Sequence, residues 1–277
     1  MGDQGVDLQA IVDETVDFVT VRRDEHGGLV GEAPSWFGER LFGGFVVAQA
    51  VHAATRVRPR GKRLNSLHGY FLRPALAGVP ITYDAAMLKD GRTLAVCRLD
   101  ATQQGSPVFS MTCSFAVDGE GYEYELPLDD DPPPPEQLEL EHGPGPWSQS
   151  WLGPTPLRSD GTRRSTHRAW VKVATPLPDD DDLHEAFIGF FSDMTGVGGR
   201  PLDLEHDITG MISLDHSLWF HRPHRADEWL FYDVHSLVNT LGRGVLRGTL
   251  RDRNGRLVAS VAQEMLLVPR AGQPVVG

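Results

Sequence analysis

Cysteine is nearly absent from this chain: among 277 residues only Cys97 and Cys113 occur, and there is no Cys-x-x-Cys. That excludes a disulfide framework and a cysteine-rich zinc site. Long apolar runs are missing too. No stretch reaches the roughly 18 uncharged apolar residues of a membrane span, and the opening MGDQGVDLQA lacks the basic-then-apolar layout of a secretory signal. The expectation is a soluble cytoplasmic protein with no membrane partner. Positive charge is in deficit, with 26 Lys and Arg against 38 Asp and Glu for a net charge of −12, which argues against a nucleic-acid binder. The common catalytic signatures do not occur either: no G-x-S-x-G, no G-x-x-x-x-G-K-[ST], no G-x-G-x-x-G after a strand and no H-E-x-x-H.

Metal ligation finds little support. His216, His221 and His224 are close in sequence, but strand alternation turns 216 and 221 to opposite faces, and His224 follows Pro223 in a turn. The acidic runs Asp129 to Asp131 and Asp179 to Asp182 read as solvated or helix-capping, since consecutive Asp residues on a helix cannot all face one ion. No metal is expected.

An internal repeat is present. Arg73-Pro74 follows Tyr70-Phe71, and Arg222-Pro223 follows Trp219-Phe220, each with one residue between and an offset of 149. Tyr83-Asp84 and Tyr232-Asp233 keep that offset, while GSPVFS from Gly105 and GRLVAS from Gly255 are offset by 150. Ordered landmarks of this kind indicate duplication with a one-residue slip. In the first copy Phe42 to Thr55 predicts a central helix, followed by strands over Leu64 to Phe71, Ile81 to Leu88, Thr93 to Thr102 and Val108 to Val117. Asp90-Gly91 and Gln104-Gly105 mark tight turns. Before that helix, Asp13 to Arg23 reads as an opening strand, though its start also suits a short helix. In the second copy Leu183, Ala186, Phe187, Phe190 and Met194 recur at helical spacing, and the face ends on Ser192-Asp193. The fold class is α+β, each copy a helix plus an antiparallel meander. Residues 1–118 and 158–277 form the two halves, and 119–157, with its Asp run and Pro132 to Pro135, reads as the linker.

The repeat also isolates candidate site residues. At the local offsets Asp193 corresponds to Gly44, Ser213 to Leu64 and Gln263 to Cys113. Three polar side chains thus stand where the sibling copy has none, as expected of groups kept for something other than the fold; independent drift of a cap, a strand Ser and a Gln explains them equally. Arg56, Arg58, Arg60, Lys62 and Arg63 form the one positive patch, either a solvated loop or a dock for the phosphates of an anionic ligand.

Phe42-Gly43-Gly44 with Ala48-Gln49-Ala50, then HGYFLRP from His68, KDGR from Lys89 and LDHSLWFHRP from Leu214, resemble the type II acyl-CoA thioesterases, the TesB-like family. The resemblance covers most of the chain and is weakest in the linker and the N-terminal tail. It implies a double hotdog, two antiparallel sheets each wrapped round a central helix and joined edge to edge, and a homodimer or larger assembly. It implies hydrolysis of fatty acyl-CoA to free acid and CoA without a cofactor, with Asp193, Ser213 and Gln263 as the catalytic set. Asp193 is then the base, or orients the water with little proton transfer, and the other two hold the attacking water. Asp215, two residues from Ser213, is structural in the family pattern. Backbone N–H groups at Gly43 and Gly44 are candidates for the oxyanion, and the Arg56 to Arg63 patch and Arg200 for the CoA phosphates. Phe187, Phe190, Phe191 and Trp219 either line an acyl slot or belong to the core. Two other readings share the fold: a non-hydrolytic binder of acyl-CoA or an acyl carrier, and a dehydratase, against which stands the lack of a His at the level of Asp193.

Overall fold

The computed structural model describes residues 7–34, 38–128, 130–142, 145–153, 155–161, 164–165, 167–194 and 208–269. Leu8–Val19 form helix α1, where a strand over Asp13 to Arg23 was expected; only Arg22–Arg23 (β1) is extended there. The helical reading wins because Val12, Thr15 and Val19 are spaced to bury one face, and Asp7 caps the start through Ala10 N–H. After β2 (Leu29–Gly31) comes α2 (Gly43–Thr55), buried from Gly44 to Thr55. The meander then runs β3 (Arg63–Phe71), β4 (Ile81–Asp90), β5 (Leu94–Gln103) and β6 (Ser106–Ala116), close to the expected spans.

The segment expected to be a linker is partly sheet. Leu140–His142 (β7) and Trp147–Trp151 (β8) pair with each other, and β8 pairs with β9 (His167–Val173). Proline governs only the upstream part, where Trp170 Nε1 donates to Pro133 O at 2.9 Å and Arg168 reaches Asp130 at 3.0 Å. α3 (Asp181–Ser192) follows, capped by Asp180 through Asp182 N–H, and then β10 (Ile208–Ser213), β11 (Asp215–Phe220), β12 (Leu230–Thr240), β13 (Arg243–Arg251) and β14 (Leu257–Pro269).

All strands join one antiparallel sheet in the order β1-β2-β4-β5-β6-β3-β11-β14-β13-β12-β9-β8-β7, with β10 pairing the far stretch of β14. The halves meet at β3 and β11, where Asp215 faces Tyr70, Ser217 faces His68 and Trp219 faces Ser66. Applying the 149-residue offset turns the first pair into the third and leaves the middle one unchanged. The duplication therefore carries a local two-fold axis through His68 and Ser217, whose Nδ1 and Oγ lie 3.2 Å apart. Cys97 and Cys113 face each other on β5 and β6 as buried free thiols.

Small residues let the two long helices touch. A Cβ on Gly189 would stand 3.1 Å from Val51 Cγ2, so α3 packs directly on α2. The helices run antiparallel: Phe42 at the start of α2 meets Phe190 near the end of α3, and Arg58 just past the end of α2 bonds Asp182 in the first turn of α3. This pairing corrects one repeat correspondence. Asp193 is the C-cap of α3, whose counterpart is Arg56, the C-cap of α2, and not Gly44. The connection from α3 to β10 is longer than that from α2 to β3, so the offset valid for strands fails for helices. Ser213 with Leu64 and Gln263 with Cys113 remain matched, since Leu246 pairs Gln263 as Cys97 pairs Cys113.

Turn chemistry gives one stability prediction. Gln104 (φ 50°) and Gly105 (φ 75°) form the expected turn, and Leu241 (φ 49°) with Gly242 (φ 74°) forms a similar one between β12 and β13. Leucine resists left-handed backbone, and Leu241 is 83% exposed, so its side chain gains little in return. Leu241→Asn is expected to stabilise the fold by about 1 kcal/mol, read as a higher midpoint in urea; an unchanged or lower midpoint would refute the strain argument.

Candidate active site

Three chain segments bring the candidate residues together. α3 delivers Asp193 at its end, β10 delivers Ser213 at its last position, and β14 delivers Gln263 from the adjacent strand. Gln263 Nε2 donates to Asp193 Oδ1 at 2.7 Å and to Ser213 Oγ at 2.8 Å. Gln263 and Asp193 are 1% and 4% exposed, whereas Ser213 is half-buried, so a ligand would approach from the Ser213 side. Burial pushes the Asp193 carboxyl up to about 7, against the Gln263 amide and the Gly44 N–H, which favour the charged form. The helix ends pull in opposite directions. Asp193 sits on the negative C-terminus of its own helix and against the positive N-terminus of α2.

Gly43 and Gly44 lie at this site, beside the Asp193 carboxylate. Gly44 N–H bonds the Asp193 carboxylate, and a Cβ on Gly43 would stand 2.5 Å from Asp193 Oδ2. Gly43 makes room for the carboxylate and Gly44 for Phe42 and the Phe190 carbonyl, while the Gly44 N–H is committed to Asp193. The basic patch lies elsewhere. Arg56 to Arg63 follow the far end of α2, roughly 18 Å away by helix rise. Three members of the patch pair with carboxylates within the chain, Arg58 with Asp182 at 2.6 Å, Lys62 with Asp90 at 3.0 Å and Arg63 with Asp118 at 2.6 Å, while Arg56 meets the neutral His52 ring at 2.9 Å. Arg60 is exposed. Arg200 and the glycines from Gly196 to Gly199 lie outside the described residues.

Other sequence candidates settle into the framework. Phe187, Phe190 and Phe191 are fully buried; Phe190 meets the rings of Phe42, Phe45 and Trp147 and those of Phe187 and Phe191, while Trp219 is 37% exposed beside the His68 ring. Asp215 Oδ1 accepts the Glu264 N–H at 2.6 Å, a backbone-holding role. His221 Nε2 lies 2.8 Å from Ser260 Oγ.

One expectation about histidine is corrected. His216 does stand at the level of Asp193, its Nδ1 3.8 Å from Asp193 Oδ1, with Nε2 2.7 Å from Ser192 Oγ. It is 0% exposed and lies behind the carboxylate, so it is not presented to a ligand. Sequence reasoning missed it because residues 192 and 216 meet only once α3 packs on β11.

With this geometry in view, residues 33–116 match the family model of the acyl-CoA thioesterase N-terminal domain, and residues 125–267 match that of the acyl-CoA thioesterase C-terminal domain. The chain is a type II, TesB-like acyl-CoA thioesterase family member. Acyl-CoA thioesterase 2 of Haemophilus influenzae is 27% identical over 259 residues, covering 86% of this chain and 91% of that protein. Among solved structures, the acyl-CoA thioesterase II TesB2 of Mycobacterium marinum superposes with a TM-score of 0.80 at 30% identity, covering 94% of this chain and all of that one. A protein of Alicyclobacillus acidocaldarius described as having a hot dog fold gives 0.76 at 17% identity over 95% and 99% of the two chains, a likeness of fold. This family member therefore has the hotdog architecture, built as a single large antiparallel sheet with few helices.

Proposed function

We propose that this chain hydrolyses acyl-CoA thioesters to a free carboxylic acid and CoA, using Asp193, Ser213 and Gln263 around an attacking water. The observation that carries the reading is the buried Gln263 amide bridging a carboxylate and a hydroxyl drawn from separate strands and a helix end. Membership of the thioesterase family supports the substrate class. A thioester carbonyl is electrophilic enough for water positioned by polar side chains, with no covalent intermediate.

Asp193, with its carboxyl near neutrality, takes a proton from water as the oxygen attacks the carbonyl carbon. Ser213 Oγ accepts from Gln263, which leaves its own proton to donate toward the reacting oxygens. The tetrahedral intermediate collapses with C–S cleavage, and the proton held by Asp193 returns to the thiolate. Gln263 fixes both partners.

Two findings support reading the sheet as a double hotdog, one half over 1–118 and the other over 158–277 extended by β7 and β8: the 149-residue offset, and the β3–β11 junction about which the pairing is symmetric. The family resemblance supports a homo-oligomer in the cytoplasm as the proposed state, with contacts other than the sheet edges, since the edge strands β1 and β7 are too short to invite pairing.

The test is thiol release from a panel of acyl-CoAs of different chain length. Turnover above the buffer rate is expected for at least one, with kcat/KM rising with pH through about 7, because the base works unprotonated and Asp193 lies there. Saturable acyl-CoA binding without turnover would make the chain a binding protein instead.

A further inference from the structure

We propose that Ser192 holds His216 in the tautomer with its proton on Nε2, so that the bare Nδ1 faces Asp193 and shares the proton that Asp193 takes from water. His216 is then a positioning residue for the base. The inference rests on the hydrolytic reading above only for its consequence in catalysis.

The argument begins at the end of α3. In a continuing helix the Asp193 N–H would reach Gly189 O; it turns to Phe190 O at 3.4 Å instead. The Ser192 hydroxyl donates to Gly189 O at 2.7 Å. A serine has one proton, so Ser192 Oγ meets His216 Nε2, 2.7 Å away, as an acceptor. Nε2 must therefore carry hydrogen. Complete burial disfavours the imidazolium and pushes His216 down to about 3, so the ring is neutral and Nδ1 is left as a lone pair. That atom is buried without a hydrogen-bond partner and lies 3.8 Å from Asp193 Oδ1.

A lone pair facing a carboxylate is repulsive, and a proton between them turns the contact attractive. At 3.8 Å the two are not yet hydrogen-bonded; closing by about 1 Å once a proton arrives would bond them. The protonated base formed as water attacks thus gains a partner that the ionised resting base lacks. Each element packed on the carboxylate presents a named group. Gln263 from β14 and the Gly44 N–H from α2 favour the charge, His216 from β11 favours the proton, and Tyr232 from β12 spends its hydroxyl on Ser192 O at 2.7 Å. Among the described residues no Lys or Arg forms an ion pair with Asp193. Among the described residues, the bare acceptor recorded beside the carboxyl is His216 Nδ1.

Nitrogen-15 and carboxyl carbon-13 NMR of the ligand-free protein test this without reference to turnover. At pH 8 the wild type is expected to show His216 with Nε2 protonated and Nδ1 bare; a protonated Nδ1 overturns the proposal. In Ser192→Ala the ring is free to place its proton on Nδ1 and donate to Asp193, which should lower the Asp193 titration midpoint by about one pH unit or more. Ser192→Thr, which keeps the hydroxyl, should leave the midpoint where it is. An unmoved midpoint in Ser192→Ala would also overturn it. Where hydrolysis is measurable, the acid limb of kcat/KM should move with the midpoint; a protein with the stated tautomer and no turnover would leave the inference standing and remove the hydrolase reading.

Discussion

Asp193→Asn is expected to lower turnover of acyl-CoA by a factor of about 100 or more, since the amide keeps the shape of the carboxylate but cannot take a proton from water. Gln263→Ala should lose a similar factor by a different route. Its amide holds Asp193 at 2.7 Å and Ser213 at 2.8 Å, so truncation releases both and leaves a buried carboxylate without its main donor. The fold should survive Asp193→Asn. Because burial raises the folded carboxyl to about 7 while the unfolded chain ionises near 4, the protonated group favours folding below the unfolded value. That contribution is lost as pH rises through about 7, so at pH 8 the buried charge opposes folding. The Asn variant should therefore keep or raise the melting temperature at pH 8 while losing activity. Full activity in both variants would remove the proposed site, and a collapsed melting temperature in Asp193→Asn would mark the residue as structural.

Gln49→Leu is expected to destabilise the fold by about 2–3 kcal/mol, as the buried Tyr83 hydroxyl and two partly buried carbonyls lose their partner together. Gln49 is 1% exposed on α2. Its Nε2 donates to Phe18 O at the end of α1 and to Glu32 O just after β2, and its Oε1 accepts from Tyr83 OH on β4 at 2.8 Å. One amide thereby ties a helix, a strand end and a second strand to the central helix. Leucine has similar bulk but leaves the buried phenol, and two partly buried carbonyls, without a partner. Tyr83→Phe removes one of those bonds along with the group that needs it and should cost about 1 kcal/mol. Urea unfolding of both variants checks this; equal small losses would show that Gln49 is replaceable packing.

Much of the fold was legible because its signals are local. Period-two alternation and Gly-containing turns located β3 to β6 within a few residues, and the small apolar run from Phe42 located α2. The repeat was legible as well, down to the matching of Ser213 with Leu64 and Gln263 with Cys113. The reading failed where local signals compete or where length hides correspondence. At Asp13 to Arg23 both helix and strand patterns fit, and packing against α2 selected the helix. Between 119 and 157 proline and aspartate dominate the composition, yet Trp147–Trp151 carries enough β propensity to extend the sheet.

The sequence by itself determined the duplicated plan, the residue types able to activate water, and the candidate trio, since these depend on order and chemistry along the chain. Only the tertiary structure decided which groups act on one another. Antiparallel packing of α2 and α3 set Asp193 on the Gly44 N–H, at the end of α2 away from the Arg56 to Arg63 patch, and the approach of β11 to the end of α3 placed His216 beside a carboxylate 23 residues earlier in the chain. The physical reason is that a carboxyl's proton affinity depends on burial and on neighbours within a few ångströms, and those neighbours come from segments that meet only when the core closes.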